Sequence, residues 1–227
     1  MSGESGSASS PRRKLLQAEV LKVSAEAPEA HAIQYAATLI GRGQVVGIPT
    51  DTFYGLAADP YNLAAVEVVY RIKGRPEQKA LPILVSSIEQ AVGIVRDLPD
   101  NFLKLTQKFW PGALTLVVDA THRVPLKVTG NTGRIAVRWP ASKIACGLIE
   151  ACGGPVTGTS ANISGFPACS SDEQLLKQMG ERLPLILDGG ENKAAMASTI
   201  VDLRDEEWRI LREGVIAEKD IRAAIEG

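Results

Sequence analysis

Oxygen-bearing side chains crowd at Thr50, Asp51, Thr52 and Tyr54, inside the stretch Pro49-Thr-Asp-Thr-Phe-Tyr-Gly-Leu56. Hydroxyls at this density can both donate to and accept from a small polar substrate. Further on, Lys73-Gly-Arg75-Pro76 sets two cations one residue apart. Lysine brings a point charge and arginine a planar fork, a pair suited to phosphate or carboxylate. The same residues also read as a solvated basic turn, because cations are favoured at a helix C-terminus in any case. Thr157-Gly-Thr-Ser160-Ala-Asn162-Ile-Ser164-Gly165 contains a Ser-x-Asn loop at the end of an expected strand. Ser160 and Asn162, with the loop amides, can hold anionic oxygens; the alternative is a local turn cap. Ser198 and Thr199 are turn caps or ligands to a phosphate or ribose. Arg138 is a site cation or an outward strand residue, and Arg212 is a site cation or the partner of its neighbour Glu213. Asp51 reads as a turn former at least as readily as a catalytic group. A serine nucleophile gains no support: Ser160 has no motif-linked histidine, and Gly158-x-Ser160 lacks the closing glycine of a hydrolase elbow. The constellation is that of a binder of anions and of an amino or hydroxyl substrate. Catalysis there rests on alignment and charge neutralisation.

These groups need elements to hold them. Gln44–Ile48 is a short apolar strand stopped by Pro49. Pro28-Glu29 opens a helix with Ile33, Ala36, Ala37 and Ile40 on one face. Asn62 caps a second helix, which delivers Lys73 at its C-terminal end. Glu19–Val23, Leu81–Ser86, Ala113–Val118, Arg134–Arg138, Pro155–Thr159 and Leu185–Leu187 read as further strands. Ser198–Asp202 and Trp208–Arg212 read as a hairpin pair. Helices are expected over Ile88–Val95, Asn101–Trp110, Ser142–Ala151, Asp172–Met179 and Ala217–Ile225. Gly55 is expected to permit a turn or a close backbone approach. Strands alternating with helices predict an α/β fold: a twisted, mixed parallel/antiparallel open sheet flanked by helices around a concave cavity. Residues 1–17 read as a disordered tail and 18–227 as one α/β catalytic domain. Neither a dinucleotide-binding glycine motif nor a P-loop is present.

Bulk properties narrow the class. Of 227 residues, 45% are hydrophobic and 22% charged, and the net charge is -1. That balance supplies no global basic field for nucleic acid. No apolar run reaches membrane-spanning length, and no signal-type segment follows Arg12-Arg13-Lys14. The chain is therefore read as cytoplasmic, with no membrane partner. Cys146, Cys152 and Cys169 lack paired zinc spacing and read as small buried hydrophobes. His31 and His122 are too few for a histidine metal site.

Taken in order, the landmarks resemble the YrdC-like threonylcarbamoyl-AMP synthases in their short, single-domain form. They are Pro49–Leu56, Lys73-Gly-Arg-Pro76, Phe109-Trp-Pro-Gly-x-Leu-Thr115, Thr159-Ser-Ala-Asn-Ile-Ser-Gly165, and Ser198-Thr-Ile-Val-Asp202 with Leu211-Arg212. The resemblance implies an ATP-dependent nucleotidyltransferase. It would condense L-threonine, bicarbonate or CO2, and ATP into threonylcarbamoyl-AMP and pyrophosphate. The product would feed tRNA threonylcarbamoyladenosine modification through a partner transferase complex, with direct tRNA binding left open. By the same resemblance Lys73 and Arg75 meet the triphosphate and its developing charge. Ser160, Asn162, Ser198, Arg212 and Arg138 lie toward the nucleotide, and Thr50, Thr52 and Tyr54 lie at the threonine end. Mg2+ would arrive through the phosphates, since no carboxylate cage is evident. One departure stands out: Glu77-Gln-Lys-Ala-Leu81 puts Lys79 where the family commonly carries histidine or another residue. Lys79 is assigned to the threonine end with that exception noted. Two other readings compete. One is an RNA-binding or ribosome-associated module using a concave basic surface. The other is a carbamoyl-transfer module like that of hydrogenase-maturation proteins.

Overall fold

The computed structural model describes residues 17–194, 196–204 and 207–227. The expected tail over 1–17 lies, except for Gln17, outside the described residues. In chain order the elements are β1 (Glu19–Lys22), α1 (Ala30–Gly41), β2 (Val46–Ile48), β3 (Gly55–Ala57), α2 (Leu63–Lys73), β4 (Ile83–Leu84), α3 (Ile88–Ile94), α4 (Asp100–Phe109), β5 (Leu114–Asp119) and β6 (Arg134–Arg138). There follow α5 (Lys143–Ala151), β7 (Val156–Thr157), β8 (Thr159–Ser160), α6 (Asp172–Met179), β9 (Leu185–Asp188), β10 (Thr199–Asp202), β11 (Arg209–Arg212) and α7 (Glu218–Glu226). The mixed α/β architecture read from the sequence is present. Its strands divide between two sheets, one ordered β1-β9-β2-β3-β8 and the other β11-β10-β5-β6-β4-β7.

Both sheets combine parallel and antiparallel neighbours. In the first, β9 pairs parallel with β1 and β2, while β3 pairs antiparallel with β2 and β8. In the second, β10 lies parallel to β5 and antiparallel to β11. Helices α1 and α5 bury Ile33, Ala36 and Ile40 with Ile144, Leu148 and Ile149 against Val46, Ile48, Leu185 and Leu187 of the first sheet. A second apolar cluster joins Val66, Val69 and Tyr70 of α2 to Leu114, Leu116, Ile135 and Val137 of the second sheet. β2 and much of β5 are buried on both faces, so their sequences run apolar without alternation.

Two local findings bear on the site. The single strand expected over Pro155–Thr159 is two short strands that belong to different sheets. Val156–Thr157 pairs with β4, and Thr159–Ser160 pairs with β3. Gly158 carries the chain between them against Leu84. A Cβ at Gly158 would lie 2.3 Å from Leu84 Cγ, so only glycine lets the strand cross there. Gly55, in contrast, is no turn glycine. It begins β3 opposite Ile48, and a Cβ there would meet Thr159 O at an ordinary 3.5 Å.

The cysteines are free, as read, but only Cys169 is buried. Cys146 and Cys152 are half-buried at the two ends of α5, and burial pushes the Cys152 thiol up to about 11. No helix among the described residues is long and apolar enough to cross a membrane.

Candidate active site

The hydroxyl loop is the excursion that joins β2 to β3. Its own oxygens shape it: Thr50 Oγ1 donates to Phe53 O at 2.6 Å and accepts from Thr52 N at 3.1 Å. Asn192 Nδ2 donates to Thr50 O from the loop after β9. Tyr54 is fully buried; its O–H donates to Gly190 O at 2.9 Å and accepts from Gly189 N. Burial pushes the Tyr54 phenol well above its ordinary range, so it remains a neutral donor.

Arg138, at the end of β6, points inward and is 6% exposed. Its Nε donates to Gly112 O (2.9 Å), Nη1 to Thr52 Oγ1 (2.9 Å) and Nη2 to Asp51 Oδ1 (2.6 Å). Asp51 is thus the counter-ion of a buried guanidinium. Thr50 already satisfies the turn, which leaves the carboxylate free for Arg138. Burial lowers the Arg138 pKa while Asp51 raises it, and arginine stays charged regardless.

Helix α2 ends at Gly74, whose left-handed φ of 58° reverses the chain as a C-cap. Asn62 caps the other end as expected, accepting from Ala64 N and Ala65 N. The reversal sends Lys73 and Arg75 to different places. Lys73 is 2% exposed, and its Nζ donates to Ser160 O, to Asn162 O (2.9 Å) and to Asn162 Oδ1 (2.9 Å). All three ammonium hydrogens are therefore engaged by the Ser-x-Asn loop. Asn162 is equally committed, donating to Ile163 O and Phe166 O and accepting from Ser160 Oγ at 2.6 Å. The loop amides are committed too. Ala161 N donates to Tyr54 O, Asn162 N to Ser160 O, Ile163 N to Gln178 Oε1 and Ser164 N to Lys73 O. The ready-made amide cradle expected from sequence is absent from this loop, because the fold uses those donors to hold the loop's shape.

A cavity of about 190 Å³ opens where the two sheets meet. The first sheet contributes Gly55, Thr159 and Ser160, and the second contributes Leu84, Thr115, Arg138, Ile200 and Arg212. Thr50, Thr52, Tyr54, Arg75 and Ser198 complete the polar wall. Of the residues assigned from sequence, Lys73, Asn162 and Lys79 are not in that wall. Lys73 and Asn162 stand directly behind it. Lys79 is exposed and offers only its backbone carbonyl, to Arg75 Nε (3.2 Å) and Tyr70 O–H (3.0 Å).

Three arginines face the cavity with hydrogen-bonding capacity to spare. Arg75 uses Nε and Nη2 on Lys79 O and Ala80 O. Arg212 uses Nε and Nη2 on Ser198 O and Ser198 Oγ. Among the described residues no acceptor engages Nη1 of either, and Arg138 keeps one N–H on each terminal nitrogen. Among the described residues Asp51 is the one carboxylate paired with any of these cations, so the cavity carries an excess of positive charge. Among the described residues no group of three or more His, Cys, Asp or Glu is placed to hold a metal ion.

Sequence reading missed several residues. Thr115 sits as a lone hydroxyl in the otherwise apolar run of β5, and that is the signal that marks it. Asn192 and Gln178 clip the two site loops, and nothing local in sequence flags them. Gly214 lies just past the end of β11. In the structure it lies against the cavity wall, where a Cβ would be 2.3 Å from Ala197 O and 2.5 Å from Ser198 C. Gly214→Ala is expected to cost about 1–3 kcal/mol by overpacking against backbone. A thermal melt checks this, and an unchanged Tm contradicts it.

Burial first, and the charge of Arg75 second, lower the Lys73 pKa from 10.5 to about 8. The ammonium needs all three hydrogens for its three acceptors. Activity is therefore expected to fall as pH rises through about 8. The sign for stability is opposite. The folded pKa lies below the unfolded one, so from about 8 to 10.5 the unfolded chain binds the extra proton and this group's contribution to stability rises. A pH–rate profile recorded beside thermal melts separates the two effects, and a flat profile through this window contradicts the role given to the ammonium.

Fold and site together define an α/β protein with an arginine- and hydroxyl-lined cavity between two mixed sheets. The sequence profile of the Sua5/YciO/YrdC family, described as "Telomere recombination", matches residues 38–214. The chain belongs to that family. It is 37% identical over 193 residues to the threonylcarbamoyl-AMP synthase of Pyrococcus abyssi, an alignment covering 85% of this chain and 57% of that protein. It is 36% identical over 182 residues to the putative threonylcarbamoyl-AMP synthase of Mycobacterium tuberculosis, covering 80% of this chain and 83% of that protein. Among solved structures it is similar to P. abyssi Sua5 complexed with L-threonine, with a TM-score of 0.88 and 36% identity, over 91% of this chain and 61% of that one. The chain thus spans little more than half the length of the P. abyssi relative.

Proposed function

We propose that this chain is an L-threonylcarbamoyladenylate synthase, a nucleotidyltransferase that condenses L-threonine, bicarbonate or CO2, and ATP. The observation that carries the reading is the convergence of Arg75, Arg138 and Arg212, with unused N–H groups, on one small hydroxyl-lined cavity. Carboxylate, carbamate and phosphate are all acceptors that such donors stabilise. The relatives named above carry that activity in their names, and one is crystallised with L-threonine.

In this reading the amino acid and the one-carbon unit lie within the cavity. At about 190 Å³ it is below the roughly 300–1,000 Å³ of pockets that enclose drug-sized ligands. The nucleotide therefore lies at its mouth, phosphates inward. Bicarbonate, where it is the source, releases CO2 and hydroxide. The neutral threonine amine attacks CO2, and the N–C bond forms as one C=O π bond opens to the carboxylate. The amine's proton leaves to that hydroxide, giving water, or to solvent. A carbamate oxygen then attacks the α-phosphorus in line, and the bond to pyrophosphate breaks. Arg75 and Arg212 neutralise the leaving phosphates, and Arg138 holds Thr52 and Asp51 at the threonine end. Lys73 and Asn162 serve the site from behind by fixing Ser160. Mg2+ belongs to the nucleotide substrate in this scheme. The product would pass to a tRNA-modifying transferase complex in the cytoplasm.

The test is pyrophosphate release with Mg2+, ATP, bicarbonate and L-threonine, omitting each in turn. Release that requires all of them supports the reading. Release that ignores threonine sinks it and favours a carbamoyl-transfer activity.

A further inference from the structure

Arg75 owes its aim to two backbone carbonyls, Lys79 O for Nε (3.2 Å) and Ala80 O for Nη2 (2.8 Å). Neither carbonyl belongs to a helix or strand, so other contacts must hold them. The loop that joins β5 to β6 packs against this turn. Gly130, at a φ of 59°, comes so close that a Cβ there would lie 2.5 Å from Gln78 O. Leu81 N donates to Val128 O at 2.8 Å. That N–H shares one planar peptide unit with Ala80 O, so the bond fixes the plane from which Ala80 O meets Arg75. Lys79 O is fixed from the other side. Tyr70, 3% exposed on α2, brings its O–H to 3.0 Å from both Lys79 O and Lys127 O. A phenol has one hydrogen, so the two carbonyls share it. Burial raises the Tyr70 pKa, which keeps that hydrogen in place at neutral pH. Lys127 Nζ adds an ion pair to Glu67 of α2 at 2.6 Å. Without the Tyr70 hydroxyl, the remaining partner of Lys79 O among the described residues is the very side chain it orients.

We propose that Tyr70 is a positioning residue for the reaction: its hydroxyl, with the Lys127–Val128 backbone, sets the two carbonyls that turn the free Nη1 edge of Arg75 toward the cavity. The task given to Arg75 rests on the synthase reading above; the clamp on it rests on geometry alone. Among the described residues the β5–β6 loop contributes nothing to the cavity wall, yet it acts on that wall through one phenol.

The experiment compares wild type, Tyr70→Phe, Arg75→Lys and the double variant in steady-state kinetics with Mg2+, ATP, bicarbonate and L-threonine. Phenylalanine keeps the ring and removes only the hydroxyl. Lysine at 75 keeps the charge but cannot fork onto two carbonyls. Tyr70→Phe is expected to lower kcat about tenfold, the scale of a slightly misplaced reacting group, and to leave the KM of L-threonine nearly unchanged. In the Arg75→Lys background the same change is expected to cost less than about twofold, because its effect runs through the arginine. A full loss in both backgrounds, an unchanged kcat, or a loss explained by unfolding at the assay temperature would overturn the proposal.

A second arm, limited proteolysis, needs no turnover. Trypsin cuts after Lys79 only when that peptide leaves its hydrogen bonds, and Pro76 shields the bond after Arg75. Tyr70→Phe is expected to speed cleavage at Lys79–Ala80 about fivefold, the worth of one hydrogen bond, and to leave other tryptic sites unchanged. Faster cleavage confined to that bond supports the clamp even if wild type makes no product, in which case only the synthase reading fails. Unchanged cleavage there, or equal speeding at every site, overturns the clamp and the positioning role with it.

Discussion

Replacing Lys73 by methionine is expected to cut turnover by about a hundred- to a thousandfold, the scale of a lost positioned donor or a displaced reacting group. Methionine keeps the length and apolar stem of the side chain but offers no hydrogens. Ser160 O, Asn162 O and Asn162 Oδ1 then lose their shared donor in the interior. The stability cost is expected to be smaller, about 1–3 kcal/mol, because the half-buried loop can take up water. Lys73→Arg is expected not to rescue. A planar fork cannot direct three hydrogens at three acceptors converging on one point. Steady-state kinetics beside thermal melts on both variants check this. Full activity in Lys73→Met contradicts it, as does a loss of activity wholly accounted for by unfolding.

The second large effect is expected at Arg138. Its side chain and that of Asp51 are 8% and 19% exposed, and the guanidinium ties strand β6 to the hydroxyl loop. Removing one partner of a buried pair leaves an uncompensated charge, at a cost of about 3–5 kcal/mol. Arg138→Met is therefore expected to lower Tm by roughly 10 °C in a chain of this size. Asp51→Asn is expected to do less, since the amide still accepts from Arg138. The double variant should cost clearly less than the two single losses added, because the groups share one interaction. Strict additivity in that cycle contradicts the pairing. Activity should fall in both single variants, since Thr52 loses its guanidinium partner or that partner loses its anchor.

Much of the frame was legible locally. The cap at Asn62, the helix opening near Ser142 and the run of β5 are short-range signals, and each appears near its expected place. The hydroxyl loop was legible because Pro49 ends an apolar strand and the hydroxyls follow at once. What was not legible is non-local. The division into two sheets depends on which strands pair, and Val156–Ser160 changes partner at a single glycine. Asp51 and Arg138 are far apart in sequence, and each has an ordinary local reading. Only the fold shows that they choose each other. Lys73 read as a phosphate cation because charge and spacing were visible, while the three carbonyl acceptors around it were not. Thr115 was passed over for the converse reason: a hydroxyl inside an apolar strand looks like packing until its neighbour on the parallel strand is known.

The central claim is that this cavity joins a one-carbon unit to threonine and then to AMP. The most direct measurement is the mass of the nucleotide product formed from ATP, L-threonine and heavy-carbon bicarbonate. The account predicts threonylcarbamoyl-AMP heavier by a single mass unit than with ordinary bicarbonate, formed by wild type and nearly lost in Lys73→Met. A nucleotide product lacking the heavy carbon, or one that forms without threonine, would contradict it.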